Sequence, residues 1–317
     1  MNIKTVLKGG PKPIWIRYLL IVGFFFLVTR LILDSRFAHT SLLYCLVPYC
    51  VAVVVYIFLP QPKGRYRWQR FGRHMFSAII VMLATSALLF EGFLCVLMFM
   101  PIYIFFAAIN FAIGPKEWPV KKTSDVFRVS ITPLVIAVIS LEGVNSTMSF
   151  EREHSVTRSH IVSLTPAQIQ KNLSQPIHLD AQRPAFLSIF PLPSRVEAGS
   201  LNQGDIHKAH FKYKRWGLDG VNVKTGETWL KIAAVEPLHI STKIIKDTSY
   251  FAHYLTIYGT DIALKPLNET ETEITLTIHY RRDLDPAWYF GPLQKTALKQ
   301  SGDYLIENVI TRSGSIQ

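Results

Sequence analysis

Cysteine is scarce: the 317 residues hold three, Cys45, Cys50 and Cys95, and all lie inside apolar runs of the N-terminal half. Cys45 and Cys50 are five apart and so do not share a helical face; thiols in such surroundings behave as small hydrophobes. The C-terminal half has none, which excludes both a disulfide framework and a thiolate zinc site there. Other signatures are missing too. No His-Glu-x-x-His occurs, no carboxylate stands at a ligand spacing from two histidines, and there is no Gly-x-Ser-x-Gly elbow, Gly-x-Gly-x-x-Gly loop or P-loop. No metal or cofactor is expected, and no catalytic residue is marked.

An acidic balance is also lacking. The net charge is +12 and the sequence pI about 9.6, but much of the excess flanks apolar runs, as at Lys63, Arg65, Arg67, Arg70 and Arg73. Basic residues in that position set membrane orientation, and no nucleic-acid motif accompanies them, so no nucleic-acid partner is expected. The mean hydropathy of +0.23 averages two unlike halves.

What the N-terminal half has is long apolar runs. A span needs about 20 apolar residues, and five stretches qualify, at about 16–33, 42–59, 75–90, 93–113 and 129–144, giving a transmembrane domain over 1–146. The first run is too long for the core of a cleavable signal peptide and lacks a small-residue cleavage site. Glu91-Gly92 divides the third run from the fourth. Lys and Arg crowd the N-terminal arm (Lys4, Lys8, Lys12, Arg17), the second loop and the fourth (Lys116, Lys121, Lys122, Arg128), while the first and third loops hold only Arg36 and Glu91. That alternation predicts a cytoplasmic N-terminus in the inner membrane and a C-terminal domain on the far, periplasmic or extracellular, side. A single re-entrant element over 75–113 would invert that domain. Glu91 and Glu142 each precede a glycine at a span end; they are candidate contacts for a lipid head group or a membrane-protein partner, or simply mark where water begins.

From Ser155 the texture changes. Residues 156–164 alternate like a strand, and Leu164-Thr165-Pro166-Ala167-Gln168 predicts a capped helix from Pro166 to Leu173. Strands are predicted at Ile206–Lys214, Glu227–Val235, Leu238–Ile245, Tyr258–Leu264 and Glu271–Arg281, punctuated by Gly220, Gly226, Pro237 and Asn268. In the last, Ile274, Leu276, Ile278 and Tyr280 point one way. A helical period then carries Leu293, Ala297, Tyr304, Leu305 and Val309 over about Pro292 to Ile310. Sequential strands and one amphipathic helix imply an α+β domain, an antiparallel sheet covered by the C-terminal helix. Eight histidines are scattered through this half; His207 and His210, three apart on a strand, face opposite ways and cannot chelate together.

Over about 155–312 the chain resembles the SRPBCC, or START-like, superfamily of helix-grip domains, nearest to the members labelled polyketide cyclase/dehydrase and lipid transport. The resemblance rests on the opening strand with Leu164-Thr165-Pro166-Ala167-Gln168, on the Phe190-Pro191-Leu192-Pro193 turn followed by Gly204-Asp205, and on Val235-Glu236-Pro237. It rests also on the close, Tyr280-Arg281-Arg282-Asp283-Leu284-Asp285-Pro286-Ala287-Trp288-Tyr289-Phe290. It implies a sheet curled around the C-terminal helix with an apolar cavity between them. Candidate lining residues are Ile274, Leu276, Ile278, Tyr280, Leu293, Ala297 and Tyr304; the same residues serve any sheet–helix core. Arg281 and Arg282 form a candidate anion clamp or a surface ion-pair cluster, and Trp288 a candidate anchor. The expected function is membrane-anchored binding of a lipid or other hydrophobic molecule. A cyclase- or aromatase-like enzyme using the same cavity, or a structural subunit of a membrane complex, are the alternatives.

Overall fold

The computed structural model describes residues 39–46, 48, 49, 67–88, 93–113, 132–179, 186–190, 193–214 and 223–311. The chain divides into two compact units, Met1–Met148 and Ser149–Gln317.

In the first unit, helices α1 (Arg67–Leu88) and α2 (Phe93–Ile113) form a hairpin. Met75 and Ala78 of α1 pack on Tyr103 and Ala107 of α2, and the Phe71 and Phe111 rings lie 5.2 Å apart. Helix α1 starts eight residues before the expected 75, so Arg67, Arg70 and Arg73 are helical and not in a loop. Arginine is a good helix former, and its flexible stem lets the charge reach water from an apolar helix. Among the described residues no helix is long and apolar enough to cross a membrane. The stretch 16–33, most of 42–59, and Glu91 lie outside the described residues. The span expected over 129–144 has a described helix, α3 (Thr132–Ile139), of only eight residues. It stops because the chain turns through Ser140–Asn145, with Gly143 at φ 83°, a left-handed conformation that glycine adopts without strain.

The second unit is an eight-stranded antiparallel sheet closed over by a C-terminal helix. Strand β1 (Glu153–Val162) leads into helix α4 (Pro166–Leu173). The expected capping box is formed: Thr165 Oγ1 accepts from the Gln168 N–H, and Gln168 Oε1 accepts from the Thr165 N–H. There follow β2 (Ile177–His178), β3 (Pro193–Glu197), β4 (Ile206–Lys214), β5 (Val223–Glu236), β6 (His239–Asp247), β7 (Leu255–Pro266) and β8 (Thr272–Arg282), then helix α5 (Ala287–Leu305). The sheet order is β1-β8-β7-β6-β5-β4-β3-β2, so the long strands form a meander whose last member returns beside the first. This arrangement fits the helix-grip fold.

Three local expectations are corrected. Pro193 opens strand β3 instead of ending a turn, a position where its missing N–H costs the sheet least. Gly226 lies inside β5 and is not a boundary. A Cβ there would stand 2.5 Å from the Thr248 carbonyl oxygen, so glycine marks a close backbone approach. Helix α5 begins at Ala287, five residues before Pro292, which sits inside it; proline at a first helical position is a preference that tertiary packing overrides.

Where β8 meets α5, Arg282 and Asp285 are fully buried, 1 % and 0 % exposed, and form an ion pair. Asp285 also pairs with Arg152, while Arg282 donates to the Leu284 carbonyl at 2.5 Å. Breaking a buried pair strands one charge, which costs about 3–5 kcal/mol. Asp285→Ala is expected to lower unfolding free energy by about that amount in urea titrations. Arg282→Met/Asp285→Leu should recover much of the loss.

Candidate functional site

The register of the sheet fixes which side chains face helix α5. On β8 these are Ile274, Leu276, Ile278 and Tyr280, all between 0 % and 4 % exposed. Their neighbours continue the inward face across the meander: Ile262 and Leu264 on β7, Ile240 on β6, Ile232 on β5 and Ala209 on β4. Val156, Leu298, Ile306 and Ile310 complete this packed cluster. Here the four β8 residues are close-packed core. Burial pushes the Tyr280 phenol above its ordinary pKa, partly offset by the Arg282 charge. It is therefore protonated at neutral pH and ill suited to act as a base. His279, its neighbour in sequence, points out of the sheet and bonds Asp261 at 2.7 Å, so the two cannot serve one centre.

Helix α5 presents two faces. Leu298 and Ile306 lie against β1 and β8, and Gly302 makes room for Arg158: a Cβ at that glycine would stand 3.0 Å from Arg158 Cγ. Arg158 Nε reaches Asp303 at 2.5 Å and His160 Nε2 reaches the same oxygen at 2.8 Å. This latch ties the helix to the edge strand. The second face carries Gln294, Ala297, Ser301 and Tyr304, at the spacing that stacks residues on one side of a helix. Tyr304 does not join the β8 cluster; it packs with Leu179 and Leu187, and with partly buried Val196 and Phe251. Leu293 is half-buried and Ala297 is buried.

That second face holds polar atoms, of which the sequence reading named the Tyr304 residue but missed Gln294 and the nearby Ser249. Gln294 is 6 % exposed and gives its amide N–H to the Tyr254 carbonyl at 3.0 Å, but Oε1 has no partner among the described residues. The Tyr304 hydroxyl, 4 % exposed, and Ser249 Oγ, 2 % exposed, are also unpartnered. Ser249 stands at the N-cap position of the 3-10 turn Tyr250–His253 without a side-chain cap bond, Gln294 bonds the Tyr254 carbonyl at its end, and Phe251 packs against the cluster that holds Tyr304. A buried polar atom without a partner costs about 1–3 kcal/mol, so each of the three requires an explanation. A polar residue in an apolar helical stripe was the signal that could have found Gln294.

The other candidates are placed as follows. Arg281 is exposed and pairs with Asp283 at 2.8 Å, while Arg282 is buried against Asp285, so the two arginines face opposite ways and each is already matched to a carboxylate. Trp288 is 51 % exposed and meets the Tyr289 ring edge-on at 5.9 Å. Glu142 is buried in the first unit, where its carbonyl accepts from the Ser41 N–H at 3.0 Å. Among the described residues no three of His, Cys, Asp or Glu converge on one point. A cleft of about 450 Å³ opens where β3, β4 and β5 meet, bordered by Arg195, His210, Lys212 and Glu227. None of the expected lining residues borders it. Its polar rim, with His210 3.2 Å from Glu197 and 3.5 Å from Glu227, is a surface ion network distinct from the sheet–helix interior.

No family model and no curated protein matches the chain. Among solved structures it is similar to a START superfamily protein from Mycobacterium smegmatis, with 13 % identity over 50 % of this chain and 94 % of that one, at a TM-score of 0.33. It is also similar to the Zhui aromatase/cyclase from Streptomyces sp. R1128, with 13 % identity over 50 % and 92 % and a TM-score of 0.32. Norcoclaurine synthase from Thalictrum flavum matches at 13 % identity over 51 % and 90 %, again with a TM-score of 0.32. Likenesses this distant carry no argument about ligand or reaction; the helix-grip description rests on the topology of this chain.

Burial raises the pKa of the Asp303 carboxyl, but the hydrogen bonds and charges of Arg158 and His160 outweigh it and hold the group below its ordinary value. A depressed acid adds stability above its unfolded pKa, about 3.9, and loses it as pH falls through the lower folded value. Asp303→Asn is therefore expected to cost about 0.5–1 kcal/mol at neutral pH, discounted for partial exposure. The gap from wild type should close as urea unfolding is repeated below about pH 4.

Proposed function

We propose that this chain is a membrane-anchored helix-grip protein that binds an apolar molecule carrying a neutral polar group between its sheet and its C-terminal helix. The observation that carries the reading is the set of unpartnered buried atoms, Gln294 Oε1, Tyr304 Oη and Ser249 Oγ, within an otherwise apolar interior. Their chemistry defines the partner. An amide oxygen accepts; two hydroxyls donate or accept. A ligand hydroxyl can donate to Gln294 Oε1, and hydroxyl or carbonyl groups elsewhere on it can meet the Tyr304 or Ser249 hydroxyl, whereas a carboxylate or phosphate would need a cation, and the buried Arg282 is already paired with Asp285. Apolar surroundings supply the affinity and the few polar atoms the orientation.

Membrane attachment is supported by the sequence of the first unit: residues 93–113 hold no charged side chain, and the apolar runs alternate with basic loops in the pattern that orients spans. In this reading the second unit stands on the periplasmic or extracellular side.

Two experiments test the proposal. Full-length chain is extracted from membranes in mild detergent, and bound small molecules are identified by mass spectrometry beside the Gln294→Leu/Tyr304→Phe variant. A molecule enriched in the wild type and reduced about tenfold or more in the variant is expected, since two hydrogen bonds of about 1 kcal/mol each are removed. The single variant Tyr304→Phe should be as stable as wild type or more so when ligand is absent, because it removes only an unpartnered hydroxyl, whereas Gln294→Leu also removes the bond to the Tyr254 carbonyl. Equal small-molecule content in both, or a Tyr304→Phe chain destabilised without ligand, would sink the reading. Separately, a reporter active only outside the cytoplasm, fused after Gln317, should be active; an inactive fusion reverses the orientation.

A further inference from the structure

The face of the sheet turned away from α5 carries a pattern independent of the interior. Strand register aligns Ile206 with Lys231 and Lys231 with Lys243; it aligns Lys208 with Trp229 and Trp229 with Lys246. These are two adjacent rows across β4, β5 and β6. They hold four lysines, one tryptophan and one isoleucine, and no carboxylate. Alternation along β5 places them opposite the inward Leu230, Ile232 and Thr228, so both rows face out.

Four features set this surface apart from ordinary solvated lysines. Lys231 stands directly across from Lys243, a like-charge pairing that destabilises a sheet. None of the four lysines has a carboxylate within ion-pair distance among the described residues; Glu227 accepts from Trp229 Nε1 at 3.0 Å and feels the charges of Lys246 and Lys208 only at longer range. Two large apolar side chains stand exposed among the charges, Ile206 at 43 % and Ile245 at 49 %. Lys208 and Lys246 also bracket the Trp229 ring, at 4.9 and 4.4 Å from its centre. Over 149–317 acidic and basic residues nearly balance, so the excess is local to this face.

We propose that this outer face of β4–β6 docks on an anionic phospholipid surface. The lysine ammonium groups match the head-group phosphates. Their stems, Ile206, Ile245 and Trp229 match the apolar level just beneath, as amphipathic side chains do at an interface. A nucleic acid or other soluble polyanion would use the charge but leave both isoleucines in water. Docking would hold the second unit flat on the bilayer.

Pulsed amine acetylation read by mass spectrometry tests this on the full-length chain in phosphatidylcholine vesicles, with or without phosphatidylglycerol. Adding phosphatidylglycerol is expected to slow labelling of Lys231, Lys243 and Lys246 about fivefold, the effect of the surface potential on one lysine. Lys265, Lys295 and Lys299 should be unchanged, and high salt should remove the protection. In the Lys231→Gln/Lys243→Gln chain, protection of Lys246 should be lost while the unfolding midpoint stays or rises, since a like-charge pair has been removed. Labelling that ignores phosphatidylglycerol, or that slows equally at Lys265, overturns the proposal. So does protection by a soluble polyanion equal to that by the lipid.

Discussion

The second unit depends on one buried charge contact. Asp285 accepts from Arg282, at the end of β8, and from Arg152, just ahead of β1. The Arg152 carbonyl in turn accepts the Arg282 N–H at 2.8 Å. Two buried ions in an apolar core are tolerable only when each remaining polar site is met, which fixes three chain segments against one another. That constraint sets the β1–β8 register and places the start of α5 one residue after Pro286. Among the described residues it also leaves no unpaired arginine or lysine buried in the interior to neutralise an acidic ligand.

From that junction α5 runs back across the sheet and divides the interior. Toward β1 and β8 its face is apolar and latched by Arg158 and His160 on Asp303, and the core there is close-packed. Toward β2, β3 and the 250–253 turn it offers Gln294 and Tyr304, with polar atoms that find no partner. The two faces lie less than a half-turn apart on one helix, so a molecule bound as proposed against one would be oriented by the rigidity of the other. The outer face of β4–β6 is the reverse side of the same strands, and its lysine rows follow from the period-2 alternation that puts Leu230 and Ile232 inside.

Much of this was legible in the sequence because it is local. The capping box at Thr165 and Gln168 needs only four residues, and helix α4 forms where those residues require it. The alternation of Ile274, Leu276, Ile278 and Tyr280 names the buried face of β8 without knowledge of its partners. Boundaries set by long-range contact were not legible. Gly226 reads as punctuation until the Thr248 backbone is found against it, and Pro292 reads as a helix start until the Arg282–Asp285 junction launches α5 earlier.

Sequence by itself determined the division into an apolar half and a mixed half, the strand-and-helix order of the second unit, and the lack of any metal or nucleophile motif. These depend on composition and on periods of 2 and 3.6, which are properties of the chain alone. Tertiary structure decided which polar groups are satisfied. Adjacent Arg281 and Arg282 look like a clamp in sequence, but successive strand residues face opposite ways, and each meets its own carboxylate. Gln294 looks like a solvated helix residue; only the packing of α5 on the 250–253 turn buries it and leaves its oxygen unpaired. Whether a hydrogen bond is made depends on atoms far apart in sequence meeting within about 3 Å, and no local pattern encodes that.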